Sequence, residues 1–109
     1  MRLGSYDAIL TPNTKVWHLY KEFNQMDLEH NLVKERHRHR FEVNPKFHEI
    51  LSENGLIFSG KSPDGSLVEF IELPEHKYFV ATQAHPELKS RLNRPHPLFL
   101  GLVKAGLNN

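Results

Sequence analysis

Apolar and polar positions recur along the chain in patterns that predict a series of short strands and helices. Residues 2–10 form a largely apolar extended segment, and Pro12 lies in the polar turn that follows it, which favours a strand. Thr14 can then cap a short helix, in which Val16 and Tyr20 lie four residues apart and share one face. The polar residues 24–34 lack a clear period and indicate a surface loop.

Residues 33–43 alternate in a way that is typical of a strand, because the odd-numbered residues share one face and the arginines of Arg36–Arg40 share the other. A helix is predicted next, since Asn44 is a good N-cap residue and Pro45 fits the first helical position. Its apolar stripe consists of Phe47, Ile50 and Leu51. Gly55 stands where a left-handed residue ends a helix.

The second half of the chain predicts a hairpin, one more strand and a final helix. Residues 56–60 and 67–73 flank Ser62-Pro63-Asp64-Gly65, a sequence suited to a turn with glycine at positive φ. The continuous apolar run 78–81 favours a strand that is buried on both faces. The final helix is predicted over residues 97–106, with Leu98, Phe99, Leu102 and Val103 facing the core.

The resulting order is β, short α, β, α, three β, loop, α. This order predicts an α/β fold with an antiparallel portion. About a hundred residues with roughly five strands can barely provide the neighbours that a strand buried on both faces requires.

Composition and charge narrow the classes of function. The 109 residues are 39% hydrophobic and 25% charged, which is ordinary for a soluble globular chain. No apolar run approaches the roughly 18 residues of a membrane span, and the first ten residues lack the apolar core of a secretory signal. The net charge of +1 provides no global field for nucleic acid. The chain contains no cysteine, which excludes disulfides, thiolate metal ligands and a cysteine nucleophile within these residues.

The most specific candidate chemistry lies just after the predicted strand at 78–81. His85 and Glu87 follow this strand two residues apart, with Pro86 between them. A carboxylate beside histidine can hold its Nδ1–H and leave the other ring nitrogen free to act as a base. The alternative, a loop histidine next to a surface glutamate, stays open at this point.

The alternating run from Arg36 to Arg40 allows several interpretations. It can be a solvated edge strand or a patch that binds phosphate or nucleic acid. His37 and His39 could bind zinc with a third ligand from elsewhere, or one arginine could hold a substrate carboxylate through two parallel hydrogen bonds. The proline-rich segment Arg91–His96 is either a polar connecting loop or a contact with a nucleotide or another domain.

Several segments together resemble the C-terminal part of CTP synthases, and more specifically the second half of their class I glutamine amidotransferase domain. The His-Pro-Glu element at residues 85–87 is typical of the wider amidotransferase class, whereas the Arg-His run and the segment 95–99 are specific to CTP synthases. The similar segments are Met1–Gly4, Glu35–Asn44, Ser59–Gly65, Leu67–Glu69, Glu72–Pro74, Gln83–Glu87 and Asn93–Phe99.

This resemblance implies a three-layer α/β/α fold with a mixed sheet and an antiparallel hairpin portion. It implies a glutamine-hydrolysing ligase of pyrimidine biosynthesis, which aminates UTP to CTP with ATP and with ammonia from glutamine. By resemblance, His85 is the base of a Cys-His-Glu triad, Glu87 is the carboxylate that orients it, and Arg40, with Phe41 beside it, binds glutamine. ATP and Mg belong to a synthetase domain, and no metal or other cofactor is expected in this segment. A cytoplasmic homotetramer without nucleic-acid or membrane partners is expected.

The family's nucleophilic cysteine and oxyanion-hole glycines lie upstream of the similar segments, and Met1 matches a methionine inside a family motif. We therefore expect residues 1–109 to be the C-terminal part of a glutamine amidotransferase domain, a fragment that is inactive alone and needs the upstream half and the synthetase domain. The alternative is a remnant that acts as a binding or structural module.

Overall fold

A nine-residue first strand, β1, organises a single five-stranded sheet. In the computed structural model, which describes residues 2–39 and 41–107, β1 pairs with β2 along almost its whole length, from Arg2 opposite His39 to Ile9 opposite Leu32. The strand order is β2-β1-β3-β4-β5, and every pairing among the described residues is antiparallel. The strands are β1 (Arg2–Leu10), β2 (Leu32–His39), β3 (Ile57–Lys61), β4 (Val68–Glu72) and β5 (Val80–Thr82).

Two of the N-cap residues predicted from the sequence lie where helical turns begin. The Thr14 hydroxyl accepts a hydrogen bond from the Trp17 amide at 3.3 Å and caps the first helix. The Asn44 side chain likewise accepts from the Lys46 amide, at the start of a 3₁₀ turn that leads into the second helix. The helices are α1 (Lys15–Glu22), α2 (His48–Glu53) and α3 (Pro97–Leu107), and 3₁₀ turns occupy Pro45–Phe47 and Pro86–Leu88.

The order of elements is the one that the sequence predicts. The β3–β4 hairpin turns at residues 62–65, where Gly65 has φ +78°. Gly55, with φ +94°, follows α2 as the left-handed residue that the sequence requires there. These predictions are confirmed because caps and tight turns are decided by a few neighbouring residues.

The apolar core lies between one face of the sheet and the helices α1 and α3. Burying these side chains removes apolar surface from water at roughly 25 cal/mol per Å². The core consists of Ala8, Leu10, Val33 and Phe70 from the sheet and Val16, Leu19, Tyr20 and Leu98 from the helices. No helix in the described part of the chain is both long enough and apolar enough to cross a membrane.

Two strand predictions are wrong in extent. The run 78–81 does not form a strand buried on both faces: β5 is only three residues long, lies at the edge of the sheet and is half-buried, and Phe79 is exposed. β2 ends at His39 among the described residues, rather than at Val43. Phe41, beyond the end of this strand, has an exposed fraction of 80%.

Two predicted apolar stripes are mostly exposed, and the one in α3 is the stripe that the sequence predicts to face the core. Of the predicted stripe in α3 only Leu98 is buried, and no residue of α2 is buried. An apolar period indicates which residues share a helix face, but it does not indicate whether another element packs against that face. The exposed members are Phe47, Ile50 and Leu51 before the hairpin, and Phe99, Leu102 and Val103 in α3.

The packing of α3 against α1 depends on a glycine, which generates a stability prediction. A Cβ at Gly101 would lie 2.6 Å from Leu19 Cδ2 and 2.9 Å from Tyr78 Oη, whereas a Cβ at Gly106 would meet nothing within 4 Å. Both substitutions by alanine gain helix propensity, but only Gly101→Ala overpacks the interface. We expect Gly101→Ala to be less stable than Gly106→Ala by about 1–3 kcal/mol in urea unfolding. Equal stability of the two variants would contradict this packing.

Candidate active site

His85 and Glu87 form a short hydrogen-bonded pair at the 3₁₀ turn Pro86–Leu88. His85 Nδ1 lies 2.6 Å from Glu87 Oε1, and both side chains are partly exposed, at 39% and 56%. The hydrogen bond from His85 lowers the pKa of Glu87 and favours its carboxylate form. Because Nδ1 is engaged, Nε2 is the ring nitrogen that can exchange a proton with a reacting group.

The main chain of β2 holds this turn in place. The His85 amide donates to the Arg36 carbonyl at 2.8 Å, and Lys89 Nζ donates to the Lys34 carbonyl on the same strand. These contacts attach the turn to the one strand whose alternate residues carry the Arg-His run. The position of His85 is therefore set by a main-chain hydrogen bond of its own amide, and the Lys89 side chain attaches the end of the turn to the same strand.

Arg40 lies outside the described residues, but its neighbours on both sides are held by several contacts. His39 Nδ1 lies 3.0 Å from the Phe41 carbonyl oxygen. The same oxygen accepts a hydrogen bond from Gln83 Nε2 at 3.1 Å, two residues before His85. A direct hydrogen bond thus joins Phe41, the residue after Arg40 in the sequence, to Gln83, which precedes His85 by two residues.

An ion cluster lies beneath these two segments. Arg2 donates to both oxygens of Glu42 at 2.8 Å and to Glu69 Oε2 at 2.8 Å. Burial opposes the charge of Arg2, but its hydrogen bonds to the two carboxylates outweigh that effect and raise its pKa. Arg2 and Glu69 are buried, and Glu42 is partly buried.

His37 and His39 contact each other. His37 Nδ1 lies 2.8 Å from His39 Nε2, and His37 Nε2 lies 3.3 Å from Glu69 Oε2. Burial of His37 lowers its pKa, and the charge of Arg2 acts in the same direction against the opposing charge of Glu69. Among the described residues, the only cluster with metal-ligand spacing is the exposed set Asp27, Glu29 and His30, which includes neither histidine.

His96 is part of a buried network rather than a polar loop. His96 Nε2 lies 2.6 Å from Glu35 Oε2, and the same oxygen accepts a short hydrogen bond from the Tyr20 hydroxyl. The Leu98 amide donates to His96 Nδ1, so the Nε2 proton points to Glu35. The sequence did not predict this network. The only signal was the alternation along β2, which places Glu35 on the same face as the buried Val33.

Residues of β1 and β2, together with Leu88, line an open cleft of about 550 Å³. Its walls combine apolar and cationic side chains, so it is suited to an acidic or amphipathic occupant. Its lining includes Leu3, Gly4, Arg36, Arg38 and Leu88, and the last of these adjoins Glu87.

Comparisons with known proteins identify relatives of this chain. The family described as glutamine amidotransferase class-I matches residues 10–105. The chain is 63% identical over 107 residues to a CTP synthase of Methanococcus maripaludis and 59% identical over 107 residues to one of Methanocaldococcus jannaschii. Each alignment covers 98% of this chain, and 19% and 18% of the respective relatives. The chain therefore spans about a fifth of the length of the curated relatives it matches.

A solved structure shares the fold. The glutaminase domain of Trypanosoma brucei CTPS with bound acivicin is similar with a TM-score of 0.86 and 33% identity. The match covers 100% of this chain and 40% of that domain. It confirms the predicted fold class, the class I glutamine amidotransferase fold.

The buried His37 makes stability depend on pH. Its pKa is lowered from 6.5 in the folded protein, so the unfolded chain binds more protons between the lowered value and 6.5. Stability therefore falls with acidification through this window. In urea unfolding at about pH 7.5 and about pH 5.5, on either side of the ordinary histidine pKa, we expect His37→Gln to lose less stability on acidification than the unsubstituted protein. The control His30→Gln removes an exposed histidine and should behave like the unsubstituted protein. If His37→Gln loses as much stability on acidification as the unsubstituted protein, His37 is not a source of the pH dependence.

Proposed function

The chain belongs to the class-I glutamine amidotransferase family, and on that premise we propose that His85 is the general base of glutamine hydrolysis and Glu87 the carboxylate that orients it. The observation that carries the proposal is the 2.6 Å contact between His85 Nδ1 and Glu87 Oε1. A carboxylate at Nδ1 fixes the tautomer with a free Nε2 and stabilises the imidazolium that forms when Nε2 takes a proton.

The nucleophile of this reaction comes from outside the 109 residues, which contain no cysteine. His85 Nε2 accepts the thiol proton, and the thiolate attacks the side-chain carboxamide carbon of glutamine. The imidazolium returns the proton to the departing nitrogen, so that ammonia leaves and a thioester remains. Water then attacks the thioester and gives a proton to Nε2. The imidazolium returns that proton to the departing thiolate, which releases glutamate and restores the thiol.

Arg40 is proposed to bind the α-carboxylate of glutamine, because a guanidinium provides two parallel hydrogen bonds to a carboxylate. The hydrogen bonds at the Phe41 carbonyl support this assignment, since they connect a neighbour of Arg40 to the segment that carries His85.

The similarity to proteins named CTP synthase supports a proposal for the activity of the whole protein. We propose that the whole protein is a CTP synthase, in which ammonia released here aminates UTP activated by ATP and Mg²⁺ on a separate synthetase domain. A cytoplasmic homotetramer is part of the same proposal. The similarity to two CTP synthases over 98% of this chain supports it.

Substitution of His85 separates the two sources of ammonia. In the full-length protein, we expect His85→Ala to abolish glutamine-dependent CTP synthesis and to leave synthesis from added ammonia intact, because ammonia bypasses the glutaminase step. Glu87→Gln should reduce only the glutamine-dependent rate, and by less. The matched control is His30→Ala, which removes another exposed histidine–carboxylate pair and should leave both rates unchanged. Equal loss of both activities in His85→Ala would assign His85 a structural role.

Substitution of Arg40 tests the binding of glutamine. Lysine retains the charge but lacks the planar guanidinium fork, so Arg40→Lys should raise the KM for glutamine and reduce kcat/KM. The reduction should correspond to a loss of about 1.5–3 kcal/mol of transition-state stabilisation. Ammonia-dependent synthesis should be nearly unchanged. Arg36→Lys and Arg38→Lys, which alter exposed arginines of the same run, should have smaller effects. A larger rise in KM for either would identify a different arginine as the carboxylate ligand.

A further inference from the structure

Glu69 contacts both segments that form the candidate site. Its side chain faces the Arg-His run, and its main-chain carbonyl contacts the segment before His85. Its side chain, which is fully buried, binds Arg2 and lies 3.3 Å from His37 Nε2. Its main-chain carbonyl accepts hydrogen bonds from Thr82 Oγ1 at 3.1 Å and from the Gln83 amide at 3.4 Å. The side chain therefore faces the Arg-His run, whereas the main chain holds the segment that leads into His85.

The side-chain contacts of Glu69 reach both sides of Arg40: His39, which precedes it directly, and Glu42, which follows two residues later. On one side, Arg2 connects Glu69 to Glu42 through hydrogen bonds of 2.8 Å to each carboxylate. On the other side, His37 connects Glu69 to His39, with 2.8 Å between the two rings. Both routes are buried or partly buried, so water does not replace these contacts freely.

We propose that Glu69, together with Arg2, is a positioning residue for glutamine. Through Arg2 and His37 it holds Glu42 and His39, which lie on either side of Arg40 in the sequence, in a fixed position relative to β4 and His85. This inference rests on the proposed function, because it assigns the segment a substrate. Neither residue touches glutamine in this scheme. Both act through the backbone on which the glutamine-binding arginine is placed.

A carboxylate pair on the same strand allows a matched test. Glu72, like Glu69, is a buried glutamate of β4, but its oxygens accept hydrogen bonds from the Lys15 and Val16 amides at the start of α1, at 2.9 and 3.0 Å. Substituting either residue by glutamine removes one buried charge while the side-chain volume is retained. If the KM for glutamine depends only on the buried charge, the two variants should thus change it to a similar extent. If it depends on the position of the residues around Arg40, only the variant at Glu69 should change it.

The experiment measures steady-state CTP synthesis by the full-length protein with glutamine or ammonia, for Glu69→Gln, Arg2→Lys and Glu72→Gln. We expect Glu69→Gln and Arg2→Lys to raise the KM for glutamine about tenfold, the effect of weakening a hydrogen bond to a charged group. At saturating glutamine, kcat should stay within roughly twofold, because the main-chain bonds to Thr82 and Gln83 are retained. Glu72→Gln should keep the unsubstituted KM, and ammonia-dependent rates should be unchanged in all three.

Saturation with glutamine distinguishes position from unfolding, since a smaller folded fraction lowers kcat with both nitrogen sources and leaves KM unchanged. An unchanged KM in Glu69→Gln, or an equal rise in Glu72→Gln, would overturn the inference while the proposed function stands. If Glu69→Gln does not accumulate in folded form, Arg2→Lys decides by the same criteria. Glutamine-dependent synthesis that persists in His85→Ala would overturn the proposed function, and this inference with it.

Discussion

The ion cluster of Arg2 with Glu69 and Glu42 is the interaction on which the arrangement of the site depends. Its members come from β1, from β4 and from the segment after β2, so it joins parts of the chain that share no turn or helix. Removing one partner of a buried ion pair costs about 3–5 kcal/mol, because the remaining charge is left without compensation. The cluster therefore fixes the relative position of three segments. Its net contribution to stability is small, because the cost of removing these charges from water offsets their attraction.

The strand β2 connects this cluster to the rest of the fold through its two faces and its main chain. Val33, Glu35 and His37 are buried on one face, whereas Arg36 and Arg38 are exposed on the other. Glu35 is held by Tyr20 and His96, which ties β2 to α1 and to the start of α3. Between these side chains, the Arg36 carbonyl accepts the hydrogen bond of the His85 amide. A single strand thus contributes to the core, to the ion cluster and to the turn that carries the candidate base.

The features that the sequence predicts correctly are those decided over a few residues. Thr14 caps α1 and Gly65 turns the hairpin because each acts on the next two or three residues. The pairing of His85 with Glu87 was expected for the same reason, since the residues are two positions apart. The contacts of Arg2 with Glu69 and of His96 with Glu35 span 67 and 61 positions, and no local pattern indicates them. The exposure of Phe99 and the short β5 were missed because periodicity does not establish what covers an apolar residue.

A structure of the full-length protein with glutamine bound at a serine-substituted nucleophile tests most directly whether His85 and Arg40 act on one glutamine molecule. We expect His85 Nε2 to lie within hydrogen-bonding distance of the serine hydroxyl, with Nδ1 still on Glu87, and the Arg40 guanidinium to form two hydrogen bonds with the α-carboxylate of glutamine. A glutamine whose carboxylate is held by other residues, or a His85 ring whose Nε2 points away from the nucleophile, would contradict this expectation.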